Sequence, residues 1–139
     1  MASISKFVSI DACPEDVWAA ISDFGAVHER AARGFVTGTQ LEGDTRIVTF
    51  ANGLVVREKL VGLDRELRRI AYTASAGRIT HHNASQQVFA EGDGRSLVVW
   101  VTDVLPEAVV ETFETMLEQG AQAMKATIEA FASKARAVT

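Results

Sequence analysis

Residues 106–135, PEAVVETFETMLEQGAQAMKATIEAFASKA, read as one long amphipathic helix that starts at Pro106 and runs to about Ala135. Val109, Phe113, Met116, Leu117, Gly120, Met124, Ile128 and Phe131 recur at helical spacing and make a continuous apolar stripe. Glu107, Glu111, Glu114 and Glu118 crowd the first half, while Lys125, Lys134 and Arg136 come late, a charge order that suits the helix dipole.

Upstream of this helix the chain alternates short apolar runs with turn residues. Ser3 to Asp11 reads as a strand. Pro14 then opens a short helix with Val17, Trp18, Ile21 and Phe24 on one face, and His28 to Arg33 suggests a second. Six strands follow: Phe35–Leu41, Thr45–Ala51, Leu54–Leu63, Arg68–Ser75, His81–Glu91 and Arg95–Val104. Their turns are marked by Glu42-Gly43-Asp44, Asn52-Gly53, Asp64-Arg65-Glu66, the looser Ala76–Thr80, and Gly92-Asp93-Gly94. Consecutive antiparallel strands with one terminal helix predict an α+β helix-grip fold, a seven-stranded curved antiparallel sheet around the long helix, in one domain spanning residues 1–139. One helix covers only part of such a sheet, so the uncovered concave face becomes a cavity, and a ligand site is expected there before any motif is read.

Composition narrows the function classes. The 139 residues are 47% hydrophobic and 23% charged, ordinary globular values that allow a real core. A net charge of −4 without a basic stripe argues against nucleic acid. Cys13 is the single cysteine, so no intrachain disulfide can form. The opening MASISKFVSIDA has no apolar signal core and no run reaches a membrane span of about 18 residues, so a cytoplasmic location is expected. Monomer and homodimer both remain open.

Pairing predicts which side chains line the cavity. A two-residue Asn52-Gly53 loop sets Thr49 against Val56 and Ile47 against Glu58. One face then carries Ile47, Thr49, Val56, Glu58 and Leu60; the other carries Arg46, Arg57 and Lys59 and reads as solvent. Glu58 is left on the apolar inner face, as a functional carboxylate or as one arm of an ion pair with an arginine. Alternation puts Tyr72, His82 and Gln86 inward and His81 outward, so the two adjacent histidines do not chelate. On the last strand a two-residue turn sends Asp103 inward, near His82, whereas a three-residue loop sends Trp100 and Thr102 inward. Phe113, Met116 and Leu117 frame Gly120, which either packs closely on the sheet or makes room for a ligand; the second reading predicts that leucine at this position fills the cavity at little cost in stability. His82 serves as a general base, as a hydrogen-bond donor to a ligand oxygen, or as a satisfied core histidine. Three histidines that cannot converge give no metal site, and no cofactor is expected.

These residues also carry a family resemblance. Ile10-Asp11-Ala12-Cys13-Pro14-Glu15-Asp16-Val17-Trp18 with Ile21-Ser22-Asp23-Phe24-Gly25, then Glu58-Lys59-Leu60 with Leu63-Asp64, Tyr72, and Gly92-Asp93-Gly94 with Trp100, resemble the START-like, Bet-v-type superfamily. Its bacterial branch comprises polyketide cyclase/dehydrase-like proteins. Many relatives carry a tryptophan where this chain has His28 to Ala32, and an Asn-Tyr pair where it has His81-His82, so His82 stands in place of a pocket tyrosine. The resemblance implies the same fold and a pocket for a small hydrophobic polyketide, lipid or quinone-like molecule. Two functions follow: a carrier or sensor whose ligand is oriented by Glu58, Tyr72, His82 and Gln86, with Trp100, Asp103 and the helix face around it, or a cyclase/dehydratase-type enzyme with His82 as base and Glu58 or Asp103 as its partner.

Overall fold

The computed structural model describes residues 2–138. Seven strands, β1 (Ser3–Ile10), β2 (Val36–Glu42), β3 (Thr45–Phe50), β4 (Val55–Asp64), β5 (Arg69–Ser75), β6 (His81–Ala90) and β7 (Ser96–Leu105), form one antiparallel sheet in the order β1-β7-β6-β5-β4-β3-β2. Helix α1 (Pro14–Ser22) and a single π turn (Val27–Ala31) fill the connection from β1 to β2, and α2 (Val110–Val138) lies across the concave face. This is the predicted helix-grip architecture. Pro106 leads into a 3₁₀ turn, Glu107–Val109, so regular α-helix begins four residues later than the sequence suggests.

Curvature has local causes. Pairing shifts by one residue between Leu60 and Gly62 on β4 and between Val36 and Gly38 on β2. Such bulges bend a strand and increase its twist, which rolls the sheet around the helix. From α2 the buried positions include Leu117, Gly120, Ala121, Met124, Ile128 and Ala132. Phe131, assigned by periodicity to the apolar stripe, is instead exposed, with the Arg33 guanidinium 5.3 Å from its ring centre. Ala132 is the buried residue at that turn instead. Ile10, Val17, Ile70 and Val98, all nearly inaccessible, tie α1 and α2 to the middle of the sheet.

Two hairpins decide what faces inward. The loop between β3 and β4 contains three residues, not two: Phe50 N–H bonds Leu54 C=O at 2.9 Å, and the turn closes by Gly53 N–H to Phe50 C=O at 2.9 Å. Gly53 alone takes positive φ, +88°, whereas the two-residue turn needs it at Asn52 as well. The register therefore moves by one: Arg46 faces Glu58 and Val48 faces Val56. Arg46, Val48 and Phe50 turn to the concave side, and Ile47 and Thr49 leave it, correcting the sequence-based assignment of β3. The loop from β6 to β7 also has three residues, Gly92 to Gly94, closed by Glu91 N–H to Arg95 C=O at 3.0 Å. Trp100 and Thr102 accordingly face inward and pair with Gln86 and Ala84. Asp103 points to the convex face, where it accepts a hydrogen bond from Ser3 Oγ, so it drops out of the expected pocket.

Candidate functional site

Between α2 and the concave face lies a cavity of two adjoining lobes, of about 70 and 60 Å³. Phe35, Phe50, Glu58, Tyr72 and Trp100 border both. Arg46, Gln86, Gly120 and Met124 are among the further residues of the first lobe, and His82, Thr102, Phe113, Met116 and Leu117 complete the second. Every expected site residue except Asp103 thus reaches this wall. Arg46, assigned to solvent, is the principal residue missed.

Arg46 redefines Glu58. Its Nε donates to Glu58 Oε1 at 2.7 Å, with side chains only 9% and 13% accessible. Nη1 reaches Phe24 C=O at 3.3 Å, and the guanidinium sits 4.1 Å from the Phe24 ring centre and 5.0 Å from that of Tyr72. Planar Arg suits this niche because it can hydrogen-bond in its plane while its face stacks on aromatics. Glu58 is therefore an engaged carboxylate, the structural alternative raised from the sequence. The signal was available: a buried carboxylate needs a cation, and Arg46 lies directly across the hairpin once the loop is given three residues.

His82 is also engaged. Backbone pairing of β5 with β6 runs only as far as Tyr72 opposite Ala84. Beyond that point His82 Nδ1 accepts the Ala74 N–H at 2.9 Å, and Thr73 Oγ1 donates to His82 C=O at 2.6 Å. An accepting Nδ1 fixes the neutral ring as the Nε2–H tautomer. Burial lowers its pKa below the ordinary value, opposed in part by Glu58. The ring lies 6.0 Å from that of Tyr72 and 5.8 Å from that of Phe113. Burial, reinforced by Glu58, also raises the pKa of the Tyr72 hydroxyl, which stays protonated at neutral pH.

Because the folded state resists protonating His82, the unfolded chain binds the extra proton as pH falls below the ordinary value of 6.5. Stability should then drop on acidification through the window between 6.5 and the lower folded pKa. Urea midpoints at pH 7.5 and 5.0 check this: wild type should lose more than His82→Gln, and an equal loss would show that other groups carry the acid sensitivity.

Gly120 is a close contact rather than an opening. A Cβ built there would stand 3.0 Å from Trp100 Cη2, 3.2 Å from Trp100 Cζ3 and 3.3 Å from Phe35 Cε2. The glycine lets the six-membered edge of the Trp100 indole seat beneath the helix, so although Gly120 borders the first lobe, a side chain added there meets the rings of Trp100 and Phe35 rather than open space.

A curved sheet gripping one helix over an internal cavity defines the helix-grip class. Within it, the sequence matches the family of polyketide cyclase / dehydrase and lipid transport proteins over residues 1–135, and the chain belongs to that family. No match was found among curated proteins. Among solved structures, a protein from Bacillus thuringiensis superposes with a TM-score of 0.82 at 19% identity, covering 91% of this chain and 98% of that one. A point mutant of norcoclaurine synthase from Thalictrum flavum, in complex with a transition-state analogue, gives 0.72 at 23% identity, with 96% and 95% covered. A START superfamily protein from Mycobacterium smegmatis gives 0.71 at 14% identity, with 95% and 97% covered. At these identities the likeness establishes the fold. No helix among the described residues is long and apolar enough to cross a membrane.

Proposed function

We propose that this chain binds a small, largely apolar molecule in the two-lobed cavity and acts as a cytoplasmic carrier or sensor, with residues 1–139 as one ligand-binding domain. The observation that carries this reading is the closed state of the cavity's ionisable groups. Glu58 is held by Arg46, and His82 Nδ1 by the Ala74 amide. A cyclase-type reaction needs a base with a lone pair facing substrate; the ring lone pair of neutral His82 is taken by the Ala74 amide, and Glu58 is tied through Oε1 to Arg46. What remains is an apolar, electrically balanced chamber with Tyr72, Gln86 and the helix side chains Phe113, Met116 and Leu117 around it.

The volume favours a ligand with one ring. A dry apolar cavity of about 150 Å³ accepts benzene, and the two lobes reach that scale only when occupied together. Of the polyketide, lipid and quinone-like classes, a monocyclic, quinone-sized molecule fits this form.

Native mass spectrometry of the purified protein, followed by amide NMR titration with α-methylstyrene and acetophenone, tests the reading. The expected result is a co-purifying small molecule, or saturable shifts centred on Tyr72, Trp100 and Gly120. The absence of both a bound molecule and a saturating shift would defeat the binding role. Turnover of a carbonyl substrate that is lost in His82→Gln while binding persists would instead favour the enzyme.

A further inference from the structure

Resting on that binding role, we propose that the cavity selects a neutral ligand bearing an acceptor oxygen, such as a ketone, aldehyde or quinone carbonyl, and holds that oxygen with donors from β7.

Trp100 Nε1 and Thr102 Oγ1 are both fully buried, and no protein group among the described residues hydrogen-bonds either. They stand two residues apart on the same face of β7, Trp100 at the boundary of the lobes and Thr102 on the wall of the second. The Trp100 N–H lies close enough to the Tyr72 hydroxyl to ease its ionisation, but in a geometry outside ordinary hydrogen-bond limits. Buried polar groups are nearly always satisfied, so two orphans on one cavity wall call for a partner from outside the chain.

The chemistry of the two groups names that partner. An indole N–H can only donate, and a threonine hydroxyl donates as readily as it accepts. In the tautomer fixed by Ala74, His82 adds an Nε2–H on the same lobe. A donor-rich wall wants an acceptor. The charge balance excludes an ionic one: Arg46, the only cation lining the cavity among the described residues, is already engaged by Glu58, and His82 is neutral. A carboxylate ligand would therefore be desolvated without a countercharge, whereas a carbonyl oxygen loses little water and gains the orphaned donors.

Acetophenone and α-methylstyrene share a shape and differ by C=O against C=CH₂, so their ratio of Kd values reads the oxygen alone. Water favours dissolving the ketone, so the informative quantity is how that ratio changes between wild type and variants. Thr102→Val, close to isosteric, and Trp100→Phe should each shift the ratio about three- to tenfold toward the hydrocarbon. Thr102→Ser, which keeps the donor, should leave it near the wild-type value, and benzoate should bind more weakly than acetophenone. An unchanged ratio in both Thr102→Val and Trp100→Phe, or benzoate as the tightest of the three, would overturn the acceptor-oxygen assignment while leaving apolar binding intact. Failure of wild type to bind either neutral probe would instead strike the binding role itself.

Discussion

Replacing Arg46 by methionine should destabilise the protein by about 3–5 kcal/mol, the usual consequence of stranding one member of a buried ion pair. Methionine keeps much of the volume but removes the 2.7 Å contact to Glu58, the bond to Phe24 C=O and the stacking on Phe24 and Tyr72. Glu58 is then left as an unpaired, largely buried carboxylate, which disturbs the wall shared by the two lobes. A double variant, Arg46→Met with Glu58→Leu, removes both charges and should recover most of the loss, because well-packed apolar replacements of buried pairs are often neutral or stabilising. Urea unfolding with an unchanged m value measures both. A single-variant loss below about 1 kcal/mol would mean that the pair behaves like a solvated surface bridge, contrary to side-chain accessibilities of 9% and 13%.

Gly120→Leu should also be strongly destabilising, by about 1–3 kcal/mol or more, as overpacking of a filled site usually is. The new Cβ alone would lie 3.0–3.3 Å from the ring edges of Trp100 and Phe35, which cannot yield as the tip of a flexible chain can. The gain in helix propensity, about 1 kcal/mol on leaving glycine, offsets only part of this. Combining the change with Trp100→Ala should relieve the collision, so the two substitutions should couple strongly in a double-mutant cycle. If Gly120→Leu instead left stability within about 0.5 kcal/mol of wild type and only abolished probe binding, the leucine would be entering the cavity and the close-contact account would fail.

The elements of this fold were legible because their causes are local. Pro14, Pro106, the glycine-marked turns and the change from period two to period 3.6 specify strands and helices with only near neighbours involved. The inward parity of β5 and β6 was equally legible: Tyr72, His82 and Ala84 are buried, while Asn83 and Phe89 face out, because alternation along a strand needs no knowledge of its partner.

The candidate site was only half legible, since it depends on how strands are registered. Asn52-Gly53 suits a two-residue turn by its own chemistry, yet that register would bury Thr49 and leave Val48 and Phe50 to water. The three-residue loop buries Val48 beside Val36 and sets Arg46 against Glu58, so tertiary burial overrode the local preference at the cost of one left-handed glycine. The same slip explains Arg46: counting its charge with Arg57 and Lys59 made one face look solvated, although a single buried carboxylate was enough to draw one of the three inward. Trp100, Asp103 and Gly120 follow the same rule. Which of the first two faces the cavity rests on one residue in the Gly92–Gly94 loop, and the role of Gly120 rests on which ring arrives beneath it. Sequence determined the strands, the helices and a concave face in need of filling, because those follow from interactions along the chain; tertiary structure decided which polar groups meet inside, because a shift of one residue in pairing exchanges the two faces of a strand.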